Sequence, residues 1–189
     1  EEARRLDGMK DPAAMMSWDS GTLATYAALV TRLDYQVGRI VKAVHRLGIA
    51  DDTVIVFTSD NGGERFSDTW PFSGKKGELL EGGLRIPAIV VWPGKTRPGS
   101  ENSDPIISMD WLPTFVAASG GLQNPDYPSD GIDLGPALLG QALPERDLYW
   151  RYKMHSQKAM RRRRWKYLEV ADNAFLFDVV ADQIGRAHV

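Results

Sequence analysis

The stretch TVIVFTSDNGGE places three polar residues, Ser59, Asp60 and Asn61, directly after a run of β-branched and aromatic residues. A carboxylate and an amide side by side offer two hard oxygen donors, the type that a hard cation takes. The same pair followed by Gly62 also makes an Asx-turn that does no more than end a strand, and the motif alone fits either reading. Downstream, GKKGELLEGG sets Lys75 and Lys76 between glycines. A compact ammonium on a flexible stem, brought in by such a loop, is suited to stabilise charge developing on a transferred oxyanion. Lysine pairs in glycine-rich loops are equally common as solvated surface charge, and Lys75 competes with Lys76 for any such role.

The elements that must position these residues follow from periodicity. Leu23, Tyr26, Ala27, Val30, Leu33, Val37, Ile40, Val41, Val44 and Leu47 recur at helical steps, which predicts an amphipathic helix with one face to a core and Gly48 at its end. Residues 53–58 lack alternation, as strands covered on both faces do, and such strands belong mostly to parallel sheets, whose carboxyl ends face the ligand crevice. A second strand of this kind spans residues 86–92, and helix followed by strand suggests a βαβ arrangement. The glycine-rich stretch between the two strands far exceeds the roughly 4 to 6 residues of an ordinary loop, and long loops are usually functional. A third apolar stretch, residues 106–109, runs into DWLPTFVAASGG, where Asp110 suits a helix N-cap, Pro113 a first turn, and Gly120 or Gly121 a C-cap. The Gly-, Pro- and Asp-rich stretch after it reads as a surface connection. From Asp147 onward DLYWRYK, KAMRRRRWKYLEV and AFLFDVV read as strands of a small antiparallel sheet.

Bulk properties exclude several classes. With 189 residues, 43% hydrophobic and 25% charged, the composition is that of a globular protein with one sizeable core and an appendage. The formal net charge of −2 gives no reason to expect nucleic acid. No apolar run approaches the roughly 20 residues needed to span a bilayer. The absence of cysteine removes disulfide and thiol chemistry from this stretch. The opening EEARRLDGMKD has none of the marks of a signal peptide and reads as the middle of a longer chain.

Taken in order, FTSDNGG, GKKGELLEGGLRIPAIVVWPG, SMDWLPTFVAASG, RWKYLEV and FLFDVVAD resemble the C-terminal half of the sulfatase family, within the alkaline-phosphatase-like superfamily. The resemblance covers roughly residues 26–182, and its strength lies in the order of the pieces rather than in any one of them. It implies an α/β fold: part of an alkaline-phosphatase-like sheet with flanking helices (1–143), then the start of a small antiparallel α+β subdomain (144–189). It implies hydrolysis of sulfate esters, on a sulfated small molecule or glycan, at a calcium ion by a formylglycine made from a cysteine or serine. Asp60 and Asn61 match the family's metal ligands, and Lys76 matches its sulfate-contacting lysine. Glu81 and Arg85, in EGGLRIP, are expected to fix the loop where it meets the second strand through charge-assisted hydrogen bonds.

The nucleophile motif and an aspartate pair for the metal lie upstream in the family, and no such motif occurs here, so this stretch alone is expected to be inactive. The resemblance also implies a periplasmic or secreted protein. A phosphodiesterase or phosphonate monoester hydrolase of the same superfamily is the alternative enzyme. A degenerate protein that binds sulfated glycans without cleaving them is the non-enzymatic alternative.

The remaining candidates carry less. His155, in the small-sheet region, is a possible substrate contact, while His45 falls off the apolar stripe of its helix. Trp70 is expected to pack the long loop. Arg161, Arg162, Arg163 and Arg164 suggest either an anionic polymer or, more simply, a solvated strand face. Residues 184–189, IGRAHV, break the family pattern and correspond to one reading frame of ATC-GGA-AGA-GCA-CAC-GTC, which resembles a sequencing-library adapter. On that reading His188 plays no part in any site.

Overall fold

The computed structural model describes residues 21–184; residues 1–20 and 185–189, including His188 and nearly all of the IGRAHV tail, lie outside the description. The chain divides into two units, one ending at Arg46 and the other beginning at Leu47. Among the described residues no helix is long and apolar enough to cross a membrane.

The first unit is the helix α1 (Leu23–Arg46). Thr22 caps it, its Oγ1 accepting from the Thr25 amide at 3.1 Å, and His45 and Arg46 lie in the last turn, where cations suit the helix dipole. Gly48, at φ +69°, takes the left-handed conformation expected just past the end. None of the helix's residues is buried, contrary to the expectation of one face in a core. Amphipathicity shows which face seeks cover; it does not require the cover to come from the same stretch of chain.

In the second unit β1 (Ile55–Thr58) pairs with β2 (Ala88–Val91), from Ile55 opposite Val91 to Thr58 opposite Ala88. The pairing is antiparallel, which corrects the parallel, βαβ-type neighbours read from the apolar runs. Parallel neighbours need a crossover of a dozen or more residues, usually helical, and the only helix between these strands is the single turn α2 (Glu81–Leu84). Phe57, Ile89 and Val91 remain exposed, so the two-sided apolar pattern is not satisfied by the described residues.

Asp110 does not cap the following helix, α3 (Trp111–Ala118), with its side chain. It is fully buried and accepts from the amides of Ile107 at 2.9 Å and Ile132 at 3.0 Å and from both terminal nitrogens of Arg146. Burial alone would push its pKa up, but Arg146 and the two amides outweigh it and hold the carboxyl below the usual range. The Gly- and Pro-rich connection is exposed over most of residues 121–130, as expected of a surface connection, and is tied down only in its last part. Ile132 is tied to Asp110, and the Leu134 amide, ahead of α4 (Gly135–Leu138), donates to Thr114 Oγ1 at 2.8 Å. Gly120, at φ +72°, ends α3 as expected.

Four strands complete the unit: β3 (Asp147–Tyr152), β4 (Gln157–Arg162), β5 (Trp165–Val170) and β6 (Asn173–Asp178), an antiparallel sheet in sequence order. KAMRRRRWKYLEV, read as one segment, is a hairpin whose turn passes through Arg163 at φ +52°. One sheet face carries Trp150, Ala159, Leu168, Phe175 and Phe177, and Leu79 from the long loop packs into it.

Arg162, Arg163 and Arg164 are exposed, as a solvated face requires, and each member of the run also meets a carboxylate: Arg161 on Glu81, Arg162 on Asp147, Arg163 on Glu145 and Arg164 on Asp178. Arg164 does most to hold the Asp178 carboxyl down to about 2; partial burial opposes it, and the amides of Ala181 and Val180 assist. An unfolded aspartate titrates near about 3.9, so this group contributes stability above roughly pH 4 and loses it as the pH falls through about 2. Arg164→Gln should lower the urea unfolding midpoint at neutral pH and flatten its fall between about pH 4 and pH 2. Unchanged pH profiles would show that the pair does not contribute.

Candidate functional site

At the carboxyl end of β1 the chain turns through Ser59, Asp60 and Asn61. Ser59 Oγ donates to the Asn61 carbonyl at 3.1 Å, and Asn61 Nδ2 donates to the Gly62 carbonyl at 2.9 Å. The amide nitrogen of Asn61 is thus occupied, which leaves its Oδ1 as the acceptor beside the exposed Asp60 carboxylate. This donor set fits part of the oxygen shell of a calcium ion. Two side chains fall short of the six to eight oxygens calcium takes, and among the described residues no group of three or more His, Cys, Asp or Glu is disposed to hold a metal.

The strand-end turn is joined to the lysine loop through glycine backbones. Gly62 N–H donates to the Gly83 carbonyl at 2.8 Å, Lys76 N–H to the Gly63 carbonyl at 2.8 Å, and Gly82 N–H to the Ser73 carbonyl at 2.7 Å. The approach is too close for a side chain: a Cβ at Gly62 would lie 1.9 Å from the Gly82 oxygen, and one at Gly83 2.1 Å from the Glu78 oxygen. The close packing of these glycines brings the Lys76 backbone to Gly63, two residues past Asn61. Both lysine side chains are exposed, and neither forms an ion pair among the described residues. Lys75 is distinguished by its amide, which donates to Glu78 Oε2 at 3.2 Å.

Beyond Lys76 the loop docks on the small sheet at alternate residues. Gly77 and Leu79 are bonded through their backbones to Gln157, Leu79 fills the apolar centre, and Glu81 meets Lys166 at 2.8 Å and Arg161 at 3.4 Å. Lys166 is 1% exposed; burial pushes its pKa down, Glu81 counters in part, and the balance stays below the usual lysine value. Glu81 therefore makes the charge-assisted bonds expected of it, but to β4 and β5 rather than at the junction with β2. Arg85 instead stacks over the Phe72 ring at 4.5 Å.

Trp70 is 74% exposed and does not pack the loop as expected, because glycine contacts and the bonds from Thr69 Oγ1 to the Phe72 and Gly74 carbonyls already hold the backbone. His155 lies exposed in a 3-10 turn, Lys153–His155, with its ring 5.4 Å from that of Tyr152. The Tyr152 hydroxyl would lie 3.8 Å from a Cβ added at Gly77, so Tyr152, the ring neighbour of His155, is the residue that borders the lysine loop.

Sequence reasoning missed Gln157 and Lys166. Lys166 had a readable signal: it shares strand parity with Leu168 and Val170, so an apolar face that includes it must bury a charge and find it a partner.

The described residues have the alkaline-phosphatase-like fold. The chain belongs to the sulfatase family, whose profile, described as Sulfatase, matches residues 3–121. It is 36% identical over 125 residues to steryl-sulfatase from Rattus norvegicus, which covers 61% of this chain and 22% of that protein. The chain thus spans about a fifth of the length of that relative. Among solved structures, Ps i-CgsB in complex with k-i-k-neocarrahexaose superposes with a TM-score of 0.78 at 31% identity, over 90% of this chain and 40% of that one. The phosphonate monoester hydrolase SpPMH from Silicibacter pomeroyi superposes with a TM-score of 0.62 at 26% identity, over 82% and 34%.

Proposed function

We propose that the full-length protein containing this chain hydrolyses sulfate esters, with residues 1–143 as the later part of its catalytic domain and 144–189 as the start of a small C-terminal subdomain. The reading is carried by one observation: the backbone bond from Lys76 to Gly63 joins the lysine loop to the turn that holds Asp60 and Asn61. Asp60 supplies a carboxylate oxygen and Asn61 an amide oxygen toward a calcium ion. Calcium, when bound, supplies divalent positive charge against the sulfate oxygens. Lys76 adds a point charge to the same oxyanion and stabilises negative charge that builds up as the ester bond breaks. His155, beside Tyr152, contacts the substrate beyond the sulfate. The nucleophile, a formylglycine in this family, belongs to a part of the protein outside residues 1–189, so this chain by itself is inactive. The substrate is a sulfated small molecule or glycan; the relatives, acting to judge from their names on such different compounds, do not narrow it.

Similarity to a phosphonate monoester hydrolase favours one competing reading, in which the same groups face a phosphonate. Steady-state kinetics of the full-length protein on an aryl sulfate and on the corresponding aryl phosphonate separate the two. A higher kcat/KM on the sulfate is expected, and a higher value on the phosphonate would replace this reading with the other. Tight binding of a sulfated oligosaccharide without turnover of either compound would point instead to a non-catalytic binding protein.

A further inference from the structure

We infer that Gln157 is a positioning residue for Lys76, acting through the backbone of the loop that carries it. The inference rests on the reading of Lys76 as the sulfate-facing lysine. Gln157 is the first residue of β4 and is 6% exposed. Its Oε1 accepts from the Leu79 N–H at 2.8 Å, and its Nε2 donates to the Gly77 carbonyl at 3.3 Å. One side chain thus engages the loop immediately after Lys76 with both its acceptor and its donor. On the other side the Lys76 amide is tied to Gly63. The Cα of Lys76 is strung between the strand-end turn and the small sheet, and these two attachments fix the point from which its flexible side chain reaches.

The chain between the attachments has little stiffness of its own, since Gly77 sits at φ +87° with no side chain to brace it. Leu79 is buried, so its amide cannot turn to water when Gln157 is removed, and the loop must shift to satisfy it. A charge displaced in this way loses much of its effect on an oxyanion, because catalytic stabilisation depends on preorganised position. Glu81 and Lys166 hold the far end of the same segment and keep it on the sheet when the nearer clamp is lost.

The test is a double-mutant cycle in the full-length protein, with kcat/KM on an aryl sulfate measured for Gln157→Leu in the wild-type and the Lys76→Ala backgrounds. Gln157→Leu should cost about tenfold or more when Lys76 is present and less than about twofold when it is absent. Equal losses in both backgrounds, or no loss in the wild type, would overturn the inference. Wild-type turnover in Lys76→Ala would overturn the underlying assignment of Lys76 instead, and the inference with it. Where Gln157→Leu fails to fold, Gln157→Glu carries the same cycle, since it keeps an acceptor for Leu79 and loses the donor to Gly77. Hydrogen exchange at the Leu79 amide should quicken in Gln157→Leu, and unchanged protection there would also overturn it.

Discussion

Replacing Lys76 with alanine in the full-length protein should lower kcat on sulfate esters by about 100- to 1000-fold, the effect typical of losing one preorganised charge at a developing oxyanion. Lys75→Ala, one residue away and equally exposed, should change it by no more than about twofold, as surface substitutions usually do. The contrast follows from the loop's attachments. The Lys76 amide is bonded to Gly63, two residues past Asn61, whereas the Lys75 amide is turned into a local bond with Glu78. Parallel steady-state measurements on the two variants decide it. A larger loss at Lys75 would mean that the register of the loop has been assigned to the wrong lysine.

Asp60→Ala should remove most activity and weaken calcium binding, with part of the rate restored at high calcium; Asn61→Ala should do the same to a smaller degree. Each side chain gives one oxygen to a hard cation, so losing one weakens the shell without abolishing it, and the charged ligand matters more than the neutral one. The local fold should survive both changes, because the turn is held chiefly by backbone bonds such as Gly62 to Gly83 rather than by the Asp60 carboxylate. Calcium content and turnover measured on the same preparations provide the check. Full occupancy and full rate in both variants would remove these residues from the metal site.

The parts of the candidate site that the sequence could suggest were those carried by contiguous residues. Asp60, Asn61 and Lys76 stand in short motifs whose chemistry can be read locally, and the C-cap at Gly120 needs only the local backbone. Pairings across the chain were not legible. Glu81 finds Lys166 and Gln157 finds Leu79 over separations of 85 and 78 residues, and nothing in either neighbourhood names its partner. Asp110 was read as a helix cap because caps are local, but its carboxylate serves Ile107, Ile132 and Arg146 instead. The hairpin at Arg163 was hidden because an arginine occupies the left-handed position where glycine or asparagine would have marked a turn. The apolar runs of β1 and β2 implied burial on both faces, yet apolar content cannot distinguish an antiparallel neighbour from a parallel one.

The central claim is that the strand-end turn and the glycine-bordered loop form one oxyanion site. A crystal structure of the full-length protein soaked with calcium and inorganic sulfate tests it most directly. The account predicts calcium within about 2.3 to 2.6 Å of an Asp60 oxygen and Asn61 Oδ1, with the Lys76 ammonium hydrogen-bonded to the sulfate beside it. Calcium bound elsewhere, or a sulfate held by Lys75 with Lys76 in solvent, would contradict it.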